Sequence, residues 1–471
     1  MSATSVKFLP FVKTNSDTLA ARETILKKLS VHIETFGCQM NVADSERAAT
    51  KLRGNGFDIT DSADEADVVI LNTCSIREKA EQKVLNRVGE IKKSRDGRLP
   101  LIGVMGCVAQ LEGEAVFKSS NAVKLVIGTG ATDRIPQLLK RAAAGERNVV
   151  DIEGRGEGEH HDISPLERGS RHVAFVPIIE GCNKFCTYCI VPFSRGRERS
   201  RSAQEIVQEV RTLRMQGYKE VQLIGQNVNS YRPKGESGLE GVNGATPFSK
   251  LLRAIAATEM PRIKFTTSFP RDFHSDIVKA IDEHENLCNW VHLPVQAGND
   301  RVLRAMRRGH RVVDYLEKIR SVHNAHRKLS LTSDIIVGFP GETNAEFEDT
   351  LKLVRDCRFH SLYIFKYSQR RGTPAAKLTE TVSEAEKTRR FLALESLQMS
   401  IQKEIFQEYI GQDVEVLVEG RSARVDSDLT GHTTCNKVVN FHADPSLIGE
   451  IVKVRVMEAK THSLYGEVKS M

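Results

Sequence analysis

The residues best suited to chemistry in this chain are its cysteines, nine among 471 residues. Three of them stand in Gly181-Cys182-Asn183-Lys184-Phe185-Cys186-Thr187-Tyr188-Cys189, a C-x3-C-x2-C run. Thiolates are soft ligands that suit zinc and iron-sulfur clusters. A structural zinc site needs four ligands, usually in two separated pairs, and no fourth Cys or His follows at that spacing. Three thiolates can hold a 4Fe-4S cluster and leave one iron free, and an open iron is a place for chemistry. Tyr188, beside the third cysteine, would shield such a cluster from solvent. The alternative is a reduced, unliganded loop.

A second triplet sits at the ends of apolar runs: VHIETFGC (31–38), DVVILNTC (67–74) and LIGVMGC (101–107) close on Cys38, Cys74 and Cys107. If those runs are neighbouring parallel strands, their carboxyl ends share one edge, which is where ligands bind in an open α/β sheet. The alternative is three ordinary buried cysteines. Cys288, Cys357 and Cys435 are isolated and read as structural.

The elements that would position these thiols follow from periodicity. Residues 41–53 and 76–95 have helical spacing between the strand runs, Gly54 closes the first of these helices, and KLVIG (124–128) adds a fourth strand before the helical ATDRIPQLLKRA. Strands alternating with helices imply a doubly wound parallel sheet. DIEGRGEGEHHDISPLERGS is Gly-rich, charged and short of anything to bury, so it reads as a linker. Six further strand candidates follow: HVAFVPIIEGC, KEVQLIGQNV, RIKFTTSF, WVHLPVQ, LSLTSDIIVGF and SLYIFKYS. Each is followed by a helical or loop-plus-helix stretch, which fits an open, partial barrel better than a closed eight-strand one. Residues 383–409 form a long amphipathic helix. Beyond it DVEVLVEG, SARVDSD, NKVVNF and GEIVKVRVMEAKTHSLYGEV are short strands without helices, a small all-β barrel. The expected fold class is therefore α/β: an N-terminal doubly wound parallel-sheet domain over 31–147, a linker over 148–170, a partial (β/α)6 barrel over 171–402 and a small all-β barrel over 403–471. Residues 1–30 read as a disordered extension.

Composition excludes several classes. With 40% apolar and 27% charged residues the chain is an ordinary globular one, and it has no apolar run near the roughly 18 residues of a membrane span. The first 30 residues lack a signal-peptide core, so a cytoplasmic location and no membrane partner are expected. In a reducing cytosol an odd number of cysteines is not a disulfide framework. The net charge of +7 only weakly favours an acidic partner.

The cysteine run, placed after the first barrel strand, resembles the signature of the radical S-adenosylmethionine (SAM) superfamily. With a second triplet upstream and a β-barrel tail, the chain resembles the methylthiotransferase family along nearly its whole length after residue 30. The stretches TFGCQMN (35–41), NTCSIREKAEQK (72–83), GCNKFCTYCIVPFSRGRERSR (181–201), HLPVQAGNDRVLRAMRRGH (292–310) and SDIIVGFPGET (333–343) are similar to its tRNA branch. The resemblance implies two 4Fe-4S clusters: one on Cys182, Cys186 and Cys189 that binds and cleaves SAM, and an auxiliary, sulfur-carrying one on Cys38, Cys74 and Cys107. It implies a methylthio group placed on C2 of N6-isopentenyladenosine at position 37 of tRNA, with two SAM used per product. No catalytic residue beyond the cluster ligands is singled out. Alternatives are methylthiolation of N6-threonylcarbamoyladenosine or of a ribosomal-protein aspartate, and a non-catalytic iron-sulfur RNA-binding protein. The tail corresponds to the family's RNA-binding TRAM domain.

SAM would lie across the strand ends, where position selects Asn227, Ser268 and Gln296 beside Tyr188; for each of the first three the alternative is a loop cap. For tRNA, DRVLRAMRRGHR carries Arg301, Arg304, Arg307, Arg308 and Arg311, with Arg301, Arg304 and Arg308 on one helical face. SRGRERSR adds Arg195, Arg197, Arg199 and Arg201. Both runs follow strand ends and are expected to rim the site and neutralise phosphates, the alternative being a solvated, salt-bridged face. The tail from residue 411 holds seven Lys and Arg against nine acids, so its charge lends no support to RNA binding. An electron donor such as flavodoxin or ferredoxin, a sulfur source and a monomeric state complete the expectation.

Overall fold

The computed structural model describes residues 29–75, 79–94, 99–154 and 163–469. The expected extension over 1–30 lies almost wholly outside these residues, as does 155–162 of the expected linker. Two compact units result: one holds the first sheet, and the other comprises Gly37–Ala43, Cys74–Ala80 and Ile163–Met471.

The first unit is built on six parallel strands, β1 (Ser30–Phe36), β2 (Asp58–Ile59), β3 (Val68–Thr73), β4 (Leu101–Gly106), β5 (Val123–Ile127) and β6 (Val149–Asp151). Their order is β2-β1-β3-β4-β5-β6. Alternation along a strand sends successive side chains to opposite faces, and both faces are apolar. Val68 and Ile70 pack with Leu52, Leu138 and Leu139 on one side. Val69 and Leu71 pack with Val84, Val88 and Val116 on the other. The helices that cover them include α1 (Gln39–Gly54) and α2 (Lys79–Ser94). Because the chain runs from β1 outward to β2 and then returns to β3 on the other side of β1, the strand order reverses between β1 and β3. In such sheets the crevice beyond that switch point is where ligands bind.

The first unit differs from expectation at two places. Gly54 does not close α1 but is its last residue; the left-handed turn comes at Gly56, φ 85°, where Phe57 N–H donates back to Leu52 O at 3.1 Å. Residues 149–151 are not linker but the sixth strand, because Val149, only 1% exposed, has a core to enter beside Leu125.

In the second unit the six expected barrel strands all form. They are β7 (Val173–Glu180), β9 (Glu220–Gly225), β10 (Arg262–Phe265), β11 (Trp290–His292), β12 (Ser330–Val337) and β13 (Ser361–Lys366), with a short antiparallel β8 (Arg199–Ser200) at the edge. The ladders run β8-β7-β9-β10 and β11-β12-β13. Cys288 N–H donates to Ile263 O at 2.8 Å, and Ser268 N–H to His292 O at 3.2 Å, across the junction between them. The result is an open arc of parallel strands whose carboxyl ends face one way. The closing helix runs over Glu384–Gln407, so the boundary expected at residue 402 falls inside it.

The tail is a closed five-stranded barrel of β14 (Asp413–Arg421), β15 (Asp428–Thr433), β16 (Val438–His442), β17 (Ile451–Ala459) and β18 (Leu464–Val468), ordered β14-β15-β16-β18-β17. SARVDSD, expected as a strand, is mostly loop: Ser422 N–H donates to Asp428 O and Asp428 N–H to Val425 O, which folds the segment on itself. The tail shares its core with the larger barrel. Its β15–β16 turn meets the amino ends of the barrel strands: Arg262 Nη1 donates to His432 O at 2.9 Å, and Lys437 Nζ to Ser330 Oγ at 2.8 Å. The strand carboxyl ends, where chemistry is expected, are the opposite end of the arc.

His360 lies in that packed region, 9% exposed, with Leu331 N–H donating to its Nδ1 at 3.2 Å. Burial, and next the charge of Lys437, lowers its pKa from 6.5 to about 3. The unfolded chain therefore binds a proton the native one refuses, so the contribution is present above pH 6.5 and is lost as pH falls toward about 3. Denaturant unfolding between pH 6.5 and 4 is expected to show stability falling by up to about 1.4 kcal/mol per pH unit for this group, and His360→Gln is expected to flatten the slope. An unaltered slope in the variant contradicts the assignment.

Candidate active site

The cysteine loop begins where β7 stops. Gly181 takes φ 76°, and a Cβ there would fall 2.2 Å from the Arg197 carbonyl oxygen, so only glycine lets the loop fold back this tightly. Cys182 N–H donates to Gly196 O at 3.1 Å, and Cys189 N–H to Cys186 O at 3.0 Å. Thr187 pins the middle: its N–H donates to Met306 O at 3.0 Å, its hydroxyl to Ala305 O at 2.9 Å, and its carbonyl accepts from Ala375 N–H at 2.8 Å. Cys182 and Cys186 are buried and Cys189 partly exposed. Burial, with the neighbouring Cys186, pushes the Cys182 thiol up, and the same two causes push Cys189 to about 12.

Several residues picked by position stand at this end of the strands. Asn227 Nδ2 donates to Cys182 Sγ at 3.1 Å, so its nearest role is to the thiol. Ser268 is 1% exposed and its hydroxyl has no hydrogen-bond partner. Gln296 holds φ 80°, its N–H donating to Asp334 O at 2.9 Å. Tyr188 packs on an apolar cluster with Met306 and Phe339. Position reasoning passed over Gln226, whose Oε1 is buried and unpartnered although it adjoins Asn227 at the same strand end. It also passed over Lys184, which pairs with Asp272. Lys184 lies inside the cysteine run itself, and that was its signal.

The arginines divide. Arg304 and Arg197 are exposed, and Arg195 partly so. Arg301 is half exposed but is held by Glu346, whose carboxyl it lowers to about 2. Arg308 departs from the expected helical face. The helix Asp300–Ala305 stops short of it, Arg307 turns left-handed at φ 55°, and Arg308 swings inward to 5% exposure. There Nη2 donates to Pro294 O at 2.6 Å and Nη1 lies 3.6 Å from Cys186 Sγ. It is not available to a phosphate at the rim. Arg201 is likewise buried, bonded to Glu209 at 2.8 Å and to Pro177 O at 2.8 Å.

For the other triplet, β1, β3 and β4 are adjacent and in step, with Phe36 opposite Thr73 and Thr73 opposite Gly106. Cys74 and Cys107 follow their strands directly and Cys38 follows after Gly37. Cys38 and Cys74 share a thiol–thiol hydrogen bond, which together with Arg195 draws the Cys38 pKa down to about 6 against the opposing effect of burial. The Cys38 segment sits on the inner face of β9: Gln39 Nε2 donates to Gln222 Oε1 at 2.9 Å, and Met40 packs on Ile224.

Among the described residues no three Cys, His or carboxylate side chains are gathered closely enough to clasp a single metal ion. An iron-sulfur cubane interposes its own atoms between its ligands, so fit is judged on the donor set and its surroundings. Three thiols, a buried cation beside one of them, and the unpartnered Ser268 hydroxyl and Gln226 carbonyl fit an anionic, thiolate-held group with a polar ligand near it.

Residues 30–128 match the family described as Uncharacterized protein family UPF0004, 176–354 the Radical SAM superfamily, and 407–469 the TRAM domain. A tRNA-2-methylthio-N(6)-dimethylallyladenosine synthase of Solibacter usitatus is 45% identical over 93% of this chain and 97% of its own length. The chain belongs to the tRNA-2-methylthio-N(6)-dimethylallyladenosine synthase family. Another member of the family, from Halalkalibacterium halodurans, is 42% identical over 93% of this chain and 81% of its own. Among solved structures the fold is like that of the radical SAM methyltransferase TsrM from Kitasatospora setae, with TM-score 0.54 at 14% identity over 86% of this chain and 80% of that one.

The cysteine-loop geometry leaves no room for a side chain at Gly181. Gly181→Ala is expected to cost about 1–3 kcal/mol in denaturant unfolding, from the left-handed backbone and the clash with Arg197 O. Wild-type stability in the variant contradicts the close approach.

Proposed function

We propose that this chain is a tRNA-modifying enzyme that places a methylthio group on C2 of N6-isopentenyladenosine at position 37, using SAM as methyl donor and radical source. The reading is carried by one observation: a cysteine loop at the end of β7 coexists with three strand-end cysteines on β1, β3 and β4 in a chain 45% identical to a named synthase over 93% of its length. An aromatic C2–H bond is neither acidic nor open to attack, so side-chain acids and bases alone do not suffice and a cofactor carries the hard step. Held by Cys182, Cys186 and Cys189, a 4Fe-4S cluster with an open iron would supply the cleaving electron, while a second cluster on Cys38, Cys74 and Cys107 would supply the sulfur.

The chain's own residues do the rest. Asn227 fixes Cys182, and Thr187 fixes the turn between Cys186 and Cys189. Ser268, Gln226 and Gln296 offer polar groups to SAM, and Tyr188 covers the loop. Arg195, Arg197 and Arg304 are proposed to meet tRNA phosphates, with Arg301 contributing less because Glu346 already holds it. A flavodoxin- or ferredoxin-type donor, a sulfur source, a monomeric state and a cytoplasmic location belong to the same reading. No helix among the described residues is long and apolar enough to cross a membrane. The domain division that goes with it is a sheet domain from residue 30 to 151, the radical SAM barrel from 171, and the TRAM barrel from 413.

Mass spectrometry of tRNA nucleosides from a deletion strain is expected to show the 2-methylthio-isopentenyl nucleoside lost, restored by the wild-type gene and not by Cys182→Ala. An undiminished level in the deletion strain overturns the substrate assignment. Replacing Arg195, Arg197 and Arg304 by Ala is expected to weaken tRNA binding and to reduce the salt slope by about one for each phosphate that is no longer neutralised. A salt slope equal to wild type places the phosphate-binding residues elsewhere.

A further inference from the structure

Arg308 is a buried cation in want of an anion. It is 5% exposed, its Nε has no hydrogen-bond partner, and among the described residues no carboxylate forms an ion pair with it. Its placement is nonetheless specific. Nη2 is anchored on Pro294 O at 2.6 Å, the guanidinium stacks 4.5 Å from the Phe269 ring centre, and Nη1 lies 3.5 Å from Tyr188 Oη and 3.6 Å from Cys186 Sγ. The groups of the cysteine loop that face it are Tyr188, Cys186 and Cys189. Leaving a guanidinium buried without a counter-charge is strongly unfavourable, and a site that tolerates it is built to receive negative charge. Arginine rather than lysine suits the place, because its planar fork can stack on an aromatic face while bonding a carbonyl with one nitrogen and a sulfur with another.

We propose that Arg308 is a positioning residue for the SAM-cleaving cluster: it holds the Cys186 side of the loop and supplies the fixed positive charge that favours the reduced state. The inference rests on the reading that Cys182, Cys186 and Cys189 hold that cluster. Reduction adds one electron from an external one-electron donor to the oxidised cluster, with no bond formed or broken and no proton taken up. A permanent cation against one ligand sulfur stabilises the more negative state, since hydrogen bonds to sulfur, net charge and burial set such potentials. The role differs from the rim contact expected from sequence, and the left-handed turn at Arg307 is what converts one into the other.

The test is a dithionite titration of the anaerobically reconstituted full chain, followed by electron paramagnetic resonance, in variants that also lack the three auxiliary cysteines so that a single cluster is read. Bound iron in the Arg308-intact protein checks the underlying reading first; if that protein holds no cluster, the ligand assignment has failed and not the role of Arg308. Arg308→Gln is expected to keep its iron but to lower the reduced-to-oxidised ratio at a fixed solution potential about tenfold, which is 59 mV for one electron. Arg308→Lys is expected to recover most of that loss. Should Arg308→Gln not retain iron, Phe269→Leu, which removes the ring under the guanidinium, is expected to move the ratio in the same direction by a smaller factor. A full complement of iron with a wild-type ratio in Arg308→Gln overturns the proposal, as does a wild-type ratio in Phe269→Leu when the glutamine variant fails.

Discussion

Parallel strands deliver their last residues to a single edge, and each part of the proposed site in this chain depends on that constraint. In the first sheet it sets Phe36, Thr73 and Gly106 side by side, so that the cysteines following them leave the sheet together. In the barrel it puts the loop after β7 beside the residues that end β9 and β10, among them Asn227 and Ser268. Side chains on loops would have to pay separately for each such juxtaposition in conformational entropy; here the hydrogen-bond ladders have already fixed it.

The same constraint explains how charge is handled. Thiols buried at a strand edge are held in their neutral form by loss of water, as Cys182 and Cys189 show, unless a neighbour answers the negative charge. Cys74, and after it Arg195, does this for Cys38, and Arg308 lies against Cys186. These two arginines come from segments rich in basic residues, yet one is buried wholly and the other in part. Net charge was a poor guide for this reason. The tail, a match to the TRAM domain, is slightly acidic from residue 411, while cations are placed singly where local charge demands them.

Much of the fold was legible in the sequence because its periodicities are strong. Val68 to Leu71 is apolar on every residue, and only a strand covered on both faces asks for that. The cysteine loop was legible from spacing alone. What was not legible depended on tertiary contacts: residues 149–151 form a strand only because Leu125 offers an edge to pair with, and SARVDSD folds into a loop through backbone bonds between Ser422, Val425 and Asp428. Arg308 is the clearest case. A helix continued from Asp300 would place it on the Arg301 face, and one left-handed residue, Arg307, sends it into the core instead.

Iron and sulfide counting after anaerobic reconstitution tests the two-triplet arrangement most directly. Replacing Cys38, Cys74 and Cys107 together by Ala is predicted to remove about half of the bound iron while SAM cleavage to 5'-deoxyadenosine persists, and replacing Cys182, Cys186 and Cys189 is predicted to remove the other half together with all cleavage. Undiminished iron in the first variant would contradict the claim that the three strand ends hold a cluster of their own.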